Sequence, residues 1–215
     1  MAVLAKICGI NSAPAMVAAV EGRAAYVGLV FYPPSPRAVT PEQAASLNAG
    51  VPDHIAKVGL FVDADDVTLQ RVLDVVALDI LQLHGNETPQ RVAEIKKMFG
   101  VPVMKAVRIA GPDDVARAAD FVAVSDRLLF DAQAPADMAG ALPGGNGLAF
   151  DWQLLAEKEW PLPWMLSGGL TPDNLAQAAA VTGAVCVDVS SGVEASRGVK
   201  DPEKIARFLA VAKSL

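Results

Sequence analysis

Val3-Leu4-Ala5-Lys6-Ile7-Cys8-Gly9 opens the chain as a short apolar strand that delivers a thiol straight into a glycine. Side chains alternate along a strand, so Lys6 and Cys8 share one face while Ala5 and Ile7 share the other. A lysine and a thiol on one wall of a buried strand cost free energy unless that wall lines a polar site. The glycine lets the backbone turn away and leaves Cys8 at the strand's carboxyl end, where parallel α/β architectures place their chemistry.

The same punctuation recurs downstream. Apolar runs predict strands over 3–8, 26–31, 55–62, 80–83, 101–107, 127–130, 163–166 and 185–189. Alanine-rich amphipathic stretches predict helices over 14–21, 41–48, 64–76, 89–99, 112–124, 151–157, 172–181 and 202–213. Several begin with proline behind Ser, Thr or Gly, where its fixed φ and missing N–H suit the first helical turn. About eight βα units without a linker predict one domain over 1–215, an α/β fold of the single-domain (β/α)8 TIM-barrel type. A doubly wound open sheet is the alternative that spacing alone leaves open. The longest irregular stretch, 132–150, carries Gly144-Gly145-Asn146-Gly147 and is expected over the active face, after the sixth strand.

Composition narrows the classes. With 53% hydrophobic and 20% charged residues the chain is not disordered, and it favours strands buried on both faces. Aromatics are 6%, so alanine and branched aliphatics must fill the core. A formal charge of −6 and a pI near 4.9 argue against nucleic acid or an anionic membrane as partner. Backbone amides can still hold a phosphate, since net charge matters little there. The two cysteines, Cys8 and Cys186, are no disulfide framework, and Cys186 reads as core. No basic region precedes an apolar run at the start, and no segment nears the roughly 20 apolar residues of a membrane span. A cytoplasmic location is expected. The two histidines, His54 and His84, are too few and scattered for a metal site.

Alternation gives a sharper test. Gln82 and His84 share a face of the fourth strand, Arg127 and Asp131 of the sixth, and Cys186 and Asp188 of the eighth. Opposite them stand Ile7, Leu81, Leu83, Leu128, Phe130, Val185, Val187 and Val189. If the apolar faces meet the helices, the polar ones converge inside the barrel near its top, as a ligand site requires. A free cysteine is most often a small buried hydrophobe. The strand-end position of Cys8 and a neighbouring ammonium shift the reading towards a reactive thiolate. Asp131 can cap a turn, or pair with Cys8 as acid and base with no metal. Leu166-Ser167-Gly168-Gly169-Leu170 and Asp188-Val189-Ser190-Ser191-Gly192-Val193-Glu194 read as turns, or as the loops through which such barrels hold phosphate. Neither is a Walker loop or a dinucleotide fingerprint. Arg37 ends a proline-stiffened stretch from Gly28; it is a surface residue there, or a two-pronged grip on a carboxylate. Asp151 and Trp152 are expected to cap and anchor the sixth helix.

These residues carry a resemblance. Lys6-Ile7-Cys8-Gly9, the Phe31-Tyr32-Pro33-Pro34-Ser35-Pro36-Arg37 run and Gln82-Leu83-His84-Gly85 resemble the phosphoribosylanthranilate isomerase family. So do Gly144-Gly145-Asn146-Gly147 leading to Phe150-Asp151-Trp152, Ser167-Gly168-Gly169-Leu170, and the run to Glu194 followed by Gly198-Val199-Lys200-Asp201. The match spans essentially the whole chain in order. It implies a (β/α)8 barrel acting on a small phosphorylated substrate in tryptophan biosynthesis, converting N-(5-phosphoribosyl)anthranilate to 1-(2-carboxyphenylamino)-1-deoxyribulose 5-phosphate by an Amadori rearrangement. It further implies Cys8 as general base and Asp131 as general acid, with Lys6 or the imine's own charge helping Cys8 to ionise. Arg37 would hold the anthranilate carboxylate, Asp188 would reach sugar hydroxyls, and Gln82 and His84 would join the substrate site. Amides around Gly168, Gly169, Ser190, Ser191 and Gly192 would hold the phosphate. No cofactor is implied. A monomer is expected over a homodimer, since neither a heptad pattern nor an apolar edge argues for assembly.

Three stretches depart from the family pattern. Asn11-Ser12-Ala13-Pro14 replaces a threonine-arginine-x-glutamate-aspartate type run, Asn146 stands where threonine is common, and Arg197 where proline is frequent. The rival readings are a ProFAR isomerase, which makes the same rearrangement but generally with two aspartates, and a non-catalytic phosphometabolite-binding barrel, which needs neither Cys8 nor Asp131.

Overall fold

The structure, a computed structural model, describes residues 2–135, 137–138, 140–156 and 158–215. Eight parallel strands close in sequence order: β1 (Leu4–Cys8), β2 (Tyr26–Val30), β3 (Ala56–Phe61), β4 (Ile80–Leu83), β5 (Val103–Ile109), β6 (Arg127–Ala132), β7 (Trp164–Leu166) and β8 (Cys186–Val189). Closure is carried by β1, where Lys6 pairs in register with Tyr26 of β2 on one side and Asp188 of β8 on the other. A closed barrel excludes the open sheet. Around it run α1 (Ala13–Glu21), α2 (Pro41–Asn48), α3 (Asp66–Leu73), α4 (Pro89–Phe99), α5 (Pro112–Arg117), α6 (Leu175–Thr182) and α7 (Pro202–Ser214). Proline sits in the first turn of α1, α2, α4, α5 and α7. Thr40 and Thr88 cap α2 and α4 by accepting the amides of Gln43 and Arg91.

Four predicted helices differ. The 64–76 helix is shorter at both ends, Asp66–Leu73, and Asp65 caps its start by accepting the Thr68 amide. The 112–124 helix stops at Arg117 and tightens into a 3-10 turn over Ala118–Phe121, which lays the Phe121 ring 5.6 Å from the Lys105 ammonium. The 151–157 helix is only a 3-10 turn, Trp152–Leu155, begun by Asp151, whose carboxylate accepts the Gln153 amide. Pro161 and Pro163 follow closely and cannot continue a helix, while Trp160 packs on Phe130 with centroids 4.8 Å apart. The last residue of that prediction, Glu157, lies outside the described residues, as do positions 136 and 139 of the 132–150 stretch. The 172–181 helix begins later, at Leu175, because Thr171 to Asn174 form a turn in which Asn174 accepts the Thr171 amide and donates to the Gly169 carbonyl.

Two apolar layers hold the fold. Outside the strands, Ile7, Leu81, Leu83, Leu128, Phe130, Val187 and Val189 meet helix residues such as Val92, Ile95 and Phe208 in one buried core. Each such side chain contributes roughly 1.5–3 kcal/mol on burial. Inside the barrel, Tyr26, Val58, Ile80, Met104, Leu129, Met165 and Cys186 fill the lower end. That plug corrects part of the alternation reading. Arg127 and Cys186 do face inward, but at the bottom: Arg127 lies over the Tyr26 ring, and burial pushes the Cys186 thiol up to about 12. Val185 precedes β8 and is 63% exposed instead of joining the outer core. After β8 the chain adds an unpredicted hairpin, β9 (Glu194–Ser196) and β10 (Val199–Lys200), turning at Gly198 with φ +84°. Among the described residues no helix is long and apolar enough to cross a membrane.

Candidate active site

Above the apolar plug the carboxyl ends of the strands surround a cavity of about 710 Å³, its open mouth included. Cys8, Arg37, His84, Asp131 and Asp188 all line it, as do Gly168, Gly169, Ser190 and Ser191. Gln82 and Gly192 do not. Gln82 is fully buried beneath His84, and Gly192 is wedged between the two loops, where a Cβ would come within 1.9 Å of the Leu170 carbonyl oxygen.

Cys8 owes its place to two glycines. Gly9 takes φ +75°, and its missing side chain leaves room for the Arg37 stem, which a Cβ would meet at 2.7 Å. Gly28, opposite Cys8 in β2, clears space for both Cys8 and Lys6, which a Cβ would meet at 3.1 and 3.2 Å. Burial pushes the Cys8 thiol above its ordinary range, and Lys6 and Lys200 only partly oppose this. Lys6 cannot do more because it is already committed: its ammonium donates to Asp188 Oδ1 at 2.9 Å in a wholly enclosed pair. Burial works against the Lys6 charge, but Asp188 and Cys8 raise its pKa above the usual lysine value. Lys6 thus favours the Cys8 thiolate, as the alternation suggests, but by less than burial disfavours it. Asp188 is engaged on its other oxygen as well, accepting from Ser167 Oγ at 3.2 Å.

On the facing side three groups form a chain. Gln82 Nε2 lies 2.8 Å from His84 Nδ1, and His84 Nε2 lies 3.2 Å from Asp131 Oδ2. With the amide donating to Nδ1, the ring proton sits on Nε2 and His84 donates to Asp131. The Ala132 amide donates to the other aspartate oxygen at 2.9 Å. Over this group lies the glycine stretch expected above the active face. A Cβ on Gly144 would stand 2.6 Å from His84 Nε2 and 2.7 Å from Asp131 Oδ2, so only glycine lets the backbone lie so near. Asn146 ties the stretch to itself, accepting from the Leu142 amide and donating to its carbonyl.

Arg37 is buried rather than exposed. Its Nε and Nη2 donate to the two oxygens of Glu194 at 2.6 and 3.1 Å, and Nη2 also donates to the Gly145 carbonyl. Lys200 donates to Glu194 Oε1 at 2.8 Å and to the carbonyl and hydroxyl of Ser190. Burial opposes the Glu194 charge, yet Arg37, Lys200 and the Gly198 amide hold its carboxyl at about 2. Burial lowers the pKa of Lys200, with Glu194 opposing. The two partners respond differently because the carboxylate has several donors while the fully enclosed lysine has one strong counter-charge.

Glu194, Lys200, Gly28 and Ser167 belong to the site, although the sequence alone gives them no role there. The signal for Glu194 was Arg37 itself, since a buried guanidinium demands a carboxylate. The cavity thus sets a thiol and a carboxyl above one hollow, lined also by the loops after β7 and β8, the first of which turns through Gly168 at φ +91° and Gly169 at φ +64°. Such a site can move protons on a ligand that carries anionic ends.

Comparison with known proteins agrees along the whole chain. The family model described as N-(5'phosphoribosyl)anthranilate (PRA) isomerase matches residues 5–211. The N-(5'-phosphoribosyl)anthranilate isomerase of Rhodospirillum centenum is 59% identical over 215 residues, covering 100% of both chains. A crystal structure of phosphoribosyl anthranilate isomerase from Thermotoga maritima superposes with TM-score 0.87 at 35% identity, covering 99% of this chain and 100% of that one. Another, of the isomerase in complex with reduced 1-(o-carboxyphenylamino)-1-deoxyribulose 5-phosphate, gives TM-score 0.83 at 34% identity, covering 99% and 100%. With the thiol, the facing aspartate and the two glycine-bearing loops already at one barrel mouth, these matches make the chain a member of the N-(5'-phosphoribosyl)anthranilate isomerase family.

Proposed function

We propose that Cys8 and Asp131 are the base and acid by which this chain carries out its family's reaction. It is an aldose–ketose isomerase of tryptophan biosynthesis, converting N-(5'-phosphoribosyl)anthranilate to 1-(2-carboxyphenylamino)-1-deoxyribulose 5-phosphate. Protonated Asp131 donates to the furanose ring oxygen; the C1–O bond breaks and the nitrogen lone pair forms a protonated imine. Cys8, as thiolate, takes the proton from C2, and the C–H electron pair moves to C1 while the imine bond collapses onto nitrogen. The resulting enolamine tautomerises to the ketone. Because burial disfavours the thiolate before substrate arrives, the positive imine supplies the help that Lys6 has given to Asp188. Arg37 holds the anthranilate carboxylate, Asp188 reaches sugar hydroxyls, and Gln82 orients His84 beside the acid. Amides at Gly168, Gly169, Ser190 and Ser191 hold the phosphate, with Gly192 locking the two loops together.

The observation that carries the reading is that Cys8, at the end of β1, and Asp131, on β6, line one cavity with both glycine-bearing loops. The thiol speaks against a ProFAR isomerase, which generally uses two aspartates. Anaerobic assay on fresh phosphoribosylanthranilate, following its fluorescence, tests the roles. Cys8→Ala and Asp131→Asn should each lower turnover by roughly 10²–10⁴-fold while phosphate-ligand binding persists. Unchanged turnover in either variant removes that residue's role. The chain is taken to act as a cytoplasmic monomer; a dimer mass in sedimentation at micromolar concentration would correct the assembly state.

A further inference from the structure

Glu194 has no task in the chemistry above, yet its carboxylate is heavily engaged. Oε1 accepts from Arg37 Nε at 2.6 Å and Lys200 Nζ at 2.8 Å; Oε2 accepts from Arg37 Nη2 at 3.1 Å and the Gly198 amide at 3.0 Å. Both cations therefore meet at one oxygen, and among the described residues this carboxylate is the ion-pair partner of each. Each cation leads to a different end of the cavity. Arg37 is held by its Nε/Nη2 edge, which leaves Nη1 with no hydrogen-bond partner among the described residues and directed toward the Gly145 backbone at the mouth. Lys200 spends its remaining protons on the Ser190 carbonyl at 2.8 Å and hydroxyl at 3.2 Å, pinning the turn after β8, whose Ser190 and Ser191 line the cavity.

We propose that Glu194 is a positioning residue that couples the two ends of the substrate site, aiming Arg37 at the aromatic carboxylate and, through Lys200, fixing Ser190 at the phosphate loop. This rests on the roles given above to Arg37 and the 190–192 turn. Glu194 touches no reacting atom. A ligand anion that draws on either cation alters the grip of Glu194 on the other, so the two ends respond to each other reciprocally. A carboxylate that merely neutralised two buried cations would contribute stability without linking the ligand's ends.

Two ligands separate these roles: reduced 1-(o-carboxyphenylamino)-1-deoxyribulose 5-phosphate, which carries both anionic groups, and ribulose 5-phosphate, which carries only the phosphate. Arg37→Met should weaken the first most and, by changing the hold of Glu194 on Lys200, shift the second by a smaller factor of about twofold or more. Glu194→Gln should weaken both by about fivefold or more, and should raise KM more than it lowers kcat. Ribulose 5-phosphate binding at the wild-type level in Glu194→Gln, or a loss confined to kcat, overturns the coupling. Wild-type affinity of Arg37→Met for the reduced product instead overturns the reading of Arg37 itself. A second route leaves Glu194 intact in case its variant does not fold. Arg37→Met and Lys200→Met, singly and together, should be non-additive by about threefold or more on the reduced product. Additive effects overturn the proposal.

Discussion

Cys8 shows how much a single side chain depends on residues that do no chemistry. Gly28 opens the wall beside it, Gly9 turns the backbone away behind it, and Lys6 is held by Asp188. The outcome is a thiol whose ionisation is disfavoured by burial more than it is favoured by Lys6. In the proposed role of Cys8 as base, thiolate is the form that takes the proton, so kcat/KM should rise with pH along a limb lying above the 9.0 of an ordinary thiol. A pH–rate profile checks this, and a limb at or below that value would show that Lys6 dominates after all. At this scale the sequence was informative but incomplete. The Lys6–Cys8 alternation placed both side chains inward, yet the partner that absorbs the Lys6 charge lies 182 positions away, where no local pattern reports it.

Among the elements, the loops after β7 and β8 are fixed from outside the cavity. Asn174, at the start of α6, accepts the Thr171 amide at 2.8 Å and donates to the Gly169 carbonyl at 2.9 Å. The helix start and the loop are thus one unit. Asn174→Ala should cost about 1–2 kcal/mol of stability and loosen the Gly168–Gly169 turn. The expected reading is a lower Tm with KM raised several-fold and kcat little changed; an unaltered KM would mean that the turn holds itself. Strands were legible to within two residues at most ends, because buried parallel strands read as apolar runs bounded by turn residues. The failures have physical reasons. At 151–157 the chain makes a single 3-10 turn before Pro161 and Pro163, which cannot continue a helix, and the β9–β10 hairpin is built from short segments with no period to detect.

For the molecule as a whole, the ions buried at the barrel mouth link stability to pH. The Glu194 carboxyl titrates at about 2 when folded, against an ordinary 4.5, so it stabilises the fold fully above 4.5 and loses that contribution as pH falls toward 2. The shift corresponds to on the order of 3 kcal/mol at most. Thermal unfolding of wild type and Glu194→Gln across pH 3 to 6 should therefore give Tm values that converge on acidification. A gap that stays constant would assign the stability of this cluster to other groups.

The pair between Lys6 and Asp188 also has a kinetic meaning. It joins the first strand to the last, and β1 with β8 is the seam along which the barrel closes. A chain emerging amino end first holds its lysine ready long before the aspartate exists. Until β8 docks, a partly assembled barrel either leaves that ammonium in water, with β1 unpacked, or buries it alone at a cost of several kcal/mol. Contacts so distant in sequence are slow to form, because loop-closure entropy must be met before they reward it. The order of assembly follows: the seam shuts last, and the thiol of the first strand acquires its surroundings only in the fully closed molecule.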